Sequence, residues 1–304
     1  MRSPINLVFL SPGFAADEED TTAIPSLQLY FRELKARHPE ITFTVMAFQY
    51  PFRSGNYEWN GIPVYSAGGK NLKRNRILTW SKILIRMIRL YRKDRVDMVH
   101  SFCLTETTLT GLFFRCLTGT PLLATAMGRD VKPENRYLPL LRLFSFGIVL
   151  ISGFQQGFLA KLKRMKITGT VPFGVEPSYY RDNSGGRGTD VLGVGSLNPV
   201  KDYPRFIQVI QIVKLEFPGI RCRIIGEGNE KERIEYLIRE YGLEGNIILS
   251  GRLDYQKVQE EMASAKVLLH TSSFEGQGLV ITEALAAGMY VVSSPVGIAA
   301  QPFS

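Results

Sequence analysis

Cysteine is scarce: Cys103, Cys116 and Cys222 are the only three in 304 residues, an odd number without paired spacing. That count argues against a disulfide framework and a zinc cluster, and predicts a reducing cytosol. Long apolar runs are missing too. The run ending at Leu10, just before Ser11, is too short for a secretory signal core or a spanning helix. The longest oily stretch, residues 138–154, is broken by Pro139, Arg142, Ser145 and Gly147, and reads as helix then strand. No repeat of domain-building length is apparent. No Gly-x-Gly-x-x-Gly follows the first strand of either half, which disfavours a dinucleotide-dependent oxidoreductase.

What is present suffices for two buried cores: the length suggests about two domains, and 45% of residues are hydrophobic. Charge is divided unevenly. Residues 1–180 carry 24 Lys and Arg against 13 Asp and Glu, whereas residues 181–304 carry 13 against 15. The first half is therefore expected to meet something negative. Its densest basic part runs over residues 70–93. There Ile77, Trp80, Ile83, Leu84, Met87, Ile88 and Tyr91 recur at helical spacing with Lys82, Arg86, Arg89 and Arg92 between them. Such a helix suits peripheral contact with an anionic membrane surface, or else a core-packed helix with a solvated basic face.

The apolar pattern alternates strand and helix. Strands are expected at 5–10, 41–48, 62–65, 96–101, 121–125 and 148–151 in the first half, and at 190–195, 221–225, 246–250, 267–269 and 290–292 in the second. Helices are expected over 105–117, 230–241 and 255–265, and before Gly288. Ser11, Pro12, Gly13 and Phe14 read as a turn after the first strand. The acidic run 17–20 precedes Thr21 and Thr22, which are expected to cap a helix starting near Ile24. His100, ending a strand, reads as structural. Residues 177–189, rich in Ser, Gly and charge, read as a linker.

The most informative stretch is 267–297, where two β-leaning runs bracket a Gly-rich loop and a helix. In a parallel sheet, a loop at the carboxyl end of a strand is where anionic ligands settle on backbone N–H groups and a helix N-terminus. Glu275 stands at the mouth of this loop and Glu283 eight residues on, inside the helix. Two carboxylates beside a phosphate site make sense if they accept from hydroxyls, and sugars offer neighbouring hydroxyl pairs.

Glu275-Gly276-Gln277-Gly278-Leu279, continued to Glu283 and Gly288, resembles the E-x7-E signature of GT-B retaining glycosyltransferases of family four, the glycosyl transferases group 1. The resemblance implies that Glu275 holds the donor sugar and Glu283 the ribose of the nucleotide. It further implies α/β architecture: two Rossmann-like, doubly wound parallel-sheet domains facing each other across a cleft. Their expected spans are 1–176 on the acceptor side and 190–304 on the nucleotide-sugar side. The second domain is expected to be incomplete, because relatives continue beyond the last strand with cover that this sequence, ending at Ser304, lacks. Ser196, Leu197, Asn198 and Lys201 resemble the segment whose Arg and Lys neutralise the donor diphosphate. Lys201 fits the lysine, and Ser196 replaces the arginine. Gly226 and Gly228 resemble the turn beside the nucleotide, and Gly251, Arg252 and Leu253 the turn that touches the base. On the acceptor side the candidates are Gly13, Met127, Arg129 and Asp130, with Met127 where many relatives carry a histidine.

The implied chemistry is metal-independent retaining transfer of a sugar from a nucleotide-diphosphate donor to a hydroxyl of a glycan or lipid-linked acceptor. Bacterial envelope polysaccharide or lipopolysaccharide assembly is the expected setting, in the cytoplasm or at the inner face of the cytoplasmic membrane. Glu275 and Lys201 are the expected catalytic residues. Leaving-group charge is expected to fall on Lys201 and on the N–H groups of residues 276–279. No metal, cofactor or nucleic acid is expected, the sugar nucleotide being a co-substrate, and no Asp-x-Asp pair is present for a cation. The alternative, motivated by Met127, Ser196 and the short carboxyl end, is a nucleotide-sugar-binding protein without turnover or an inactive fragment of such an enzyme.

Overall fold

The computed structural model describes residues 5–160, 165–176 and 186–301. The chain forms two compact units, Met1–Phe173 and Gly174–Ser304. Most of the expected linker, residues 177–185, lies outside the described residues.

The first unit runs β1 (Ile5–Gly13), α1 (Pro25–Arg37), β2 (Ile41–Tyr50), β3 (Gly55–Trp59), β4 (Ile62–Ser66), α2 (Arg76–Lys93), β5 (Met98–Phe102), α3 (Glu106–Thr118), β6 (Leu122–Ala126), α4 (Leu138–Leu141), β7 (Gly147–Leu150), α5 (Gln156–Leu159) and β8 (Lys166–Thr170). Its eight-stranded sheet is ordered β3-β4-β2-β1-β5-β6-β7-β8 and is parallel throughout except for the β3–β4 hairpin at one edge. Central β1 buries Val8, Phe9, Leu10 and Ser11 on both faces, the mark of a strand covered on each side. Phe31 of α1 sits among Phe9, Phe14, Phe43 and Phe102, with the Phe9 ring edge-on at 4.9 Å.

Several expectations are corrected here. The turn expected at residues 11–14 is instead strand through Gly13, with a register irregularity between Ser11 and Gly13 where β1 follows β2. Thr21 and Thr22 do not cap α1: its N-cap is Ile24, in a left-handed conformation and without a side-chain cap bond. Asp20 organises the preceding loop instead, accepting from the Ala16, Thr22 and Ala23 amides and from the Tyr50 hydroxyl. The helix expected within 138–154 is a single turn, α4, with Pro139 in its first turn, where proline is tolerated. Strands β3 and β8 were not expected.

The second unit runs β9 (Thr189–Val194), α6 (Tyr203–Glu216), β10 (Cys222–Ile225), α7 (Lys231–Glu240), β11 (Ile247–Leu249), α8 (Tyr255–Ala263), β12 (Ala265–His270), α9 (Leu279–Ala286) and β13 (Tyr290–Ser293). The sheet is entirely parallel, ordered β11-β10-β9-β12-β13. Strand alternation sends Ile224 and Leu269 to a core built with Phe206, Ile207 and Ile234. It sends Leu192, Ile225 and Leu268 to the opposite core with Met262, Ile281 and Ala284. Helices therefore cover both faces, α6 and α7 on one and α8 and α9 on the other.

Phe31→Ala is expected to destabilise the first unit by about 3–5 kcal/mol, because it removes a fully buried ring packed among Phe9, Phe14, Phe43 and Phe102. Urea denaturation of the two proteins measures the difference.

Candidate functional site

In the second sheet the chain leaves β9 towards β10 on one side, and returns to lay β12 on the other side of β9. The loops after β9 and β12 thus lead to helices on opposite faces of the sheet, α6 and α9, the arrangement at whose carboxyl edge open α/β sheets hold ligands. The loop after β9 carries Lys201 and the loop after β12 carries Glu275. Backbone bonds stitch the two together: the Ser273 amide donates to the Val200 carbonyl at 2.8 Å and the Thr271 hydroxyl to the Lys201 carbonyl at 2.9 Å. Topology, not sequence proximity, makes these residues neighbours.

Lys201 Nζ donates to Glu275 Oε1 at 2.5 Å. The same oxygen accepts from Ser272 Oγ at 2.8 Å and faces His270 Nε2 at 3.2 Å. Burial pushes the Glu275 carboxyl upward, but the His270 hydrogen bond, the Lys201 charge and hydrogen bond, and the Ser272 hydroxyl outweigh it and hold the group at about 2. Glu275 is therefore an ionised carboxylate at any physiological pH. Both side chains of the pair remain 16–19% exposed, enough for a ligand to reach them.

Glu283, on α9, is buried, and its Oε1 accepts from the Tyr255 hydroxyl at 2.9 Å. Burial raises its carboxyl, and the Tyr255 bond offsets only part of that. Close backbone approach shapes the neighbouring turns. A Cβ on Gly226 would run into the Gly195 carbonyl, and one on Gly228 into the Leu197 carbonyl, so the turns after β9 and β10 nest only with glycine at both positions. The Gly226 amide in turn donates to the Gly251 carbonyl at 2.9 Å.

The remaining candidates fall into distinct places. Ser196 is exposed, and the Asn198 amide spends one donor on Ser196 Oγ at 3.2 Å while Asn198 Oδ1 accepts from the Val200 amide. Asn198 thus shapes the Lys201 loop. Arg252 is exposed and Leu253 packs partly against the second core. Gly276, Gln277 and Gly278 are buried in the turn that leads into Leu279 and α9, where the Gln277 carbonyl accepts from the Ile298 amide.

In the first unit Gly13 is buried and its carbonyl accepts from Ser11 Oγ. Met127 packs partly against the aromatic core. Arg129 is exposed. Asp130 accepts from the amides of Leu104, Met127 and Gly128, which commits its carboxylate to holding the loop after β6. His100 is buried with Nε2 2.7 Å from Thr125 Oγ1, and burial pushes it down to about 4, so it is a neutral structural residue.

Three residues of the site were not read from the sequence: His270, Ser272 and Tyr255. The signal for His270 was available, since an imidazole ending an apolar strand lies where parallel sheets hold ligands.

Because the Glu275 carboxyl is lowered on folding, its stabilisation is fully present above its unfolded value near 4.5 and is lost as pH falls towards about 2. Wild type is expected to exceed Glu275→Gln by roughly 3 kcal/mol at neutral pH, with more than half of that gone by about pH 3. Urea titrations of both proteins across that range measure it.

Residues 182–303 match the family described as Glycosyl transferases group 1. A poly(ribitol-phosphate) alpha-N-acetylglucosaminyltransferase of Staphylococcus aureus is 32% identical over 101 residues, 33% of this chain and 20% of that protein. The chain thus spans about a fifth of the length of such curated relatives. Among solved structures, sucrose-phosphate synthase from Thermosynechococcus elongatus superposes with a TM-score of 0.79 at 16% identity, covering 97% of this chain and 82% of that one. Anabaena Alr3699/HepE, solved in complex with UDP and glucose, gives 0.70 at 17% identity, with 97% and 82% covered. Residues 182–303, which hold the candidate site, thus match the Glycosyl transferases group 1 family, and the chain has the two-sheet α/β fold of these GT-B structures.

Proposed function

We propose that the protein is a retaining, metal-independent glycosyltransferase of family four that moves a sugar from a nucleotide-diphosphate donor to a hydroxyl of a glycan or lipid-linked acceptor in envelope polysaccharide assembly. The observation that carries this reading is the Lys201–Glu275 pair at the carboxyl ends of β9 and β12. On this reading Glu275 Oε2 accepts from the donor sugar, and Lys201 turns to the diphosphate. As the glycosidic bond breaks, negative charge grows on the leaving diphosphate, and a fixed ammonium with the N-terminus of α9 stabilises it without reorganising solvent. Glu283 and Tyr255 face the ribose hydroxyls. The UDP and glucose bound by Anabaena HepE support a nucleotide-sugar donor.

A second element of the reading concerns α2. Ile77, Leu78 and Ile85 are 77%, 59% and 48% exposed, beside exposed Arg89, Arg92 and Lys93. No helix among the described residues is long and apolar enough to cross a membrane. Surface contact with anionic lipid fits this mixture of protruding apolar groups and positive charge, which would bring the protein to a lipid-linked acceptor.

Purified protein incubated with UDP, GDP and ADP sugars and a mixed acceptor extract is expected to release one nucleoside diphosphate. Glu275→Ala and Lys201→Ala are each expected to cut release about a hundredfold or more. Donor binding without release in wild type would favour the non-catalytic alternative, and absence of binding would refute both. Co-sedimentation with phosphatidylglycerol vesicles is expected for wild type and to fall at least tenfold for the double variant Arg89→Glu, Arg92→Glu, at roughly 1 kcal/mol per basic group.

A further inference from the structure

Three donors converge on a single oxygen of Glu275, and only one of them, Lys201, has a second task in the proposed reaction. When Lys201 turns towards a diphosphate, the carboxylate loses its shortest contact while a sugar hydroxyl is docking on it. A half-buried carboxylate released in that way would swing or draw in water unless something fixed held it. His270 is placed to do so. Its side chain is only 4% exposed, and both ring nitrogens have partners: Nε2 lies 3.2 Å from Glu275 Oε1, and Nδ1 lies 2.9 Å from Ser293 Oγ.

The brace is built from sheet geometry. His270 and Ser293 are register partners at the carboxyl ends of β12 and β13, and the Ser294 amide donates to the His270 carbonyl at 2.9 Å. When Nε2–H donates to Glu275, Nδ1 of the neutral ring is the acceptor, and the Ser293 hydroxyl, which also lies 2.8 Å from the Ser294 carbonyl, donates to it and fixes that tautomer. A chain of contacts thus runs from the backbone of β13 through Ser293 and the imidazole to Glu275 Oε1. It is independent of Lys201 and needs no ligand to form. Ser272, buried within the loop, supplies a second ligand-independent donor to the same oxygen.

We propose that His270, braced by Ser293, is a positioning residue that keeps Glu275 aimed at the donor sugar after Lys201 has left it for the diphosphate. The proposal rests on the donor-site reading above and deepens it: the ion pair of the ligand-free state is an exchangeable contact, and the imidazole is the permanent one. Oε1 is then the anchored oxygen and Oε2 the one offered to the sugar. Because His270 acts through Glu275 alone, its loss is felt by the sugar and not by the nucleotide.

The test compares binding of UDP, GDP and ADP with binding of the corresponding glucose conjugates by calorimetry, on wild type, His270→Leu, His270→Gln, Ser293→Ala and Glu275→Gln. A hydrogen bond to a charged group corresponds to roughly tenfold or more in affinity. His270→Leu is expected to weaken nucleotide-sugar binding by about that factor while leaving the nucleoside diphosphate within about twofold. His270→Gln, whose amide can donate to Glu275, is expected to recover most of the loss, and Ser293→Ala to show a smaller loss in the same direction. In a Glu275→Gln background the leucine substitution is expected to add nothing further. Equal losses for sugar nucleotide and nucleoside diphosphate, or unchanged sugar binding in both His270→Leu and Ser293→Ala, would overturn the role of His270. If His270→Leu does not fold, the glutamine and Ser293→Ala proteins decide the matter by the same ratio. Wild type that binds neither class of ligand overturns the donor-site reading itself, and with it this assignment.

Discussion

A carboxylate withdrawn from water stays ionised only where enough donors reach it, and that constraint organises the second unit of this chain around Glu275. Desolvation alone would raise the group, yet three donors, from two loops and the end of β12, bring it to about 2. One of those donors, Lys201, stands 74 positions away in sequence. The sheet has to hold both loops in one place for the charge to be tolerated, and the Ser273 amide and the Thr271 hydroxyl do so by donating to carbonyls of the Lys201 loop. A buried ion pair of this kind adds little net stability relative to apolar packing, but breaking it leaves an uncompensated charge. The pair is better understood as a registration device that fixes two loops against one another.

The Lys201 loop is also nested, through glycine, against the turn after β10. At Gly226 and Gly228 the neighbouring carbonyls of Gly195 and Leu197 occupy the space a side chain would need. Close nesting brings the turns after β9 and β10 into contact, with the Leu197 amide donating to the Glu227 carbonyl and the Glu230 amide to the Leu197 carbonyl. The sequence spacing of glycines in this half therefore records backbone approach more than conformational freedom.

Much of this architecture was legible in the sequence because parallel strands covered on both faces carry short apolar runs, such as residues 7–10 of β1 and 267–269 of β12. The misses follow from the same physics. Strand β3 (Gly55–Trp59) pairs only at a sheet edge and buries Trp59 alone, so it has no apolar run to betray it. Strand β8 (Lys166–Thr170) alternates exposed and half-buried residues and includes Gly169. At the site, Lys201, Glu275 and Glu283 stood out through spacing and family resemblance. Asp130 could not be distinguished beforehand from a ligand-facing acid, since a carboxylate that collects three loop amides and one that awaits a substrate are the same residue in sequence. Tyr255 was invisible for the opposite reason: it acquires its role from Glu283 on another element, 28 positions on.

Glu275 and Glu283 sit in opposite electrostatic environments, and the contrast carries chemical information. Glu275 is over-supplied with donors and lies low, whereas Glu283, buried with the single Tyr255 hydroxyl, is raised. Environments that push like groups apart in this way assign them different tasks. A carboxylate already saturated on one oxygen by fixed groups resists reorientation and suits a position where charge develops. A carboxylate with too few donors for its burial gains by meeting a ligand that brings hydroxyls, because each new donor repays part of the desolvation it already bears. On the proposed reading, Glu283 thus draws binding energy from the ribose, and Glu275, being already paid for by its neighbours, is free to direct its contact towards the sugar as the bond to the diphosphate breaks.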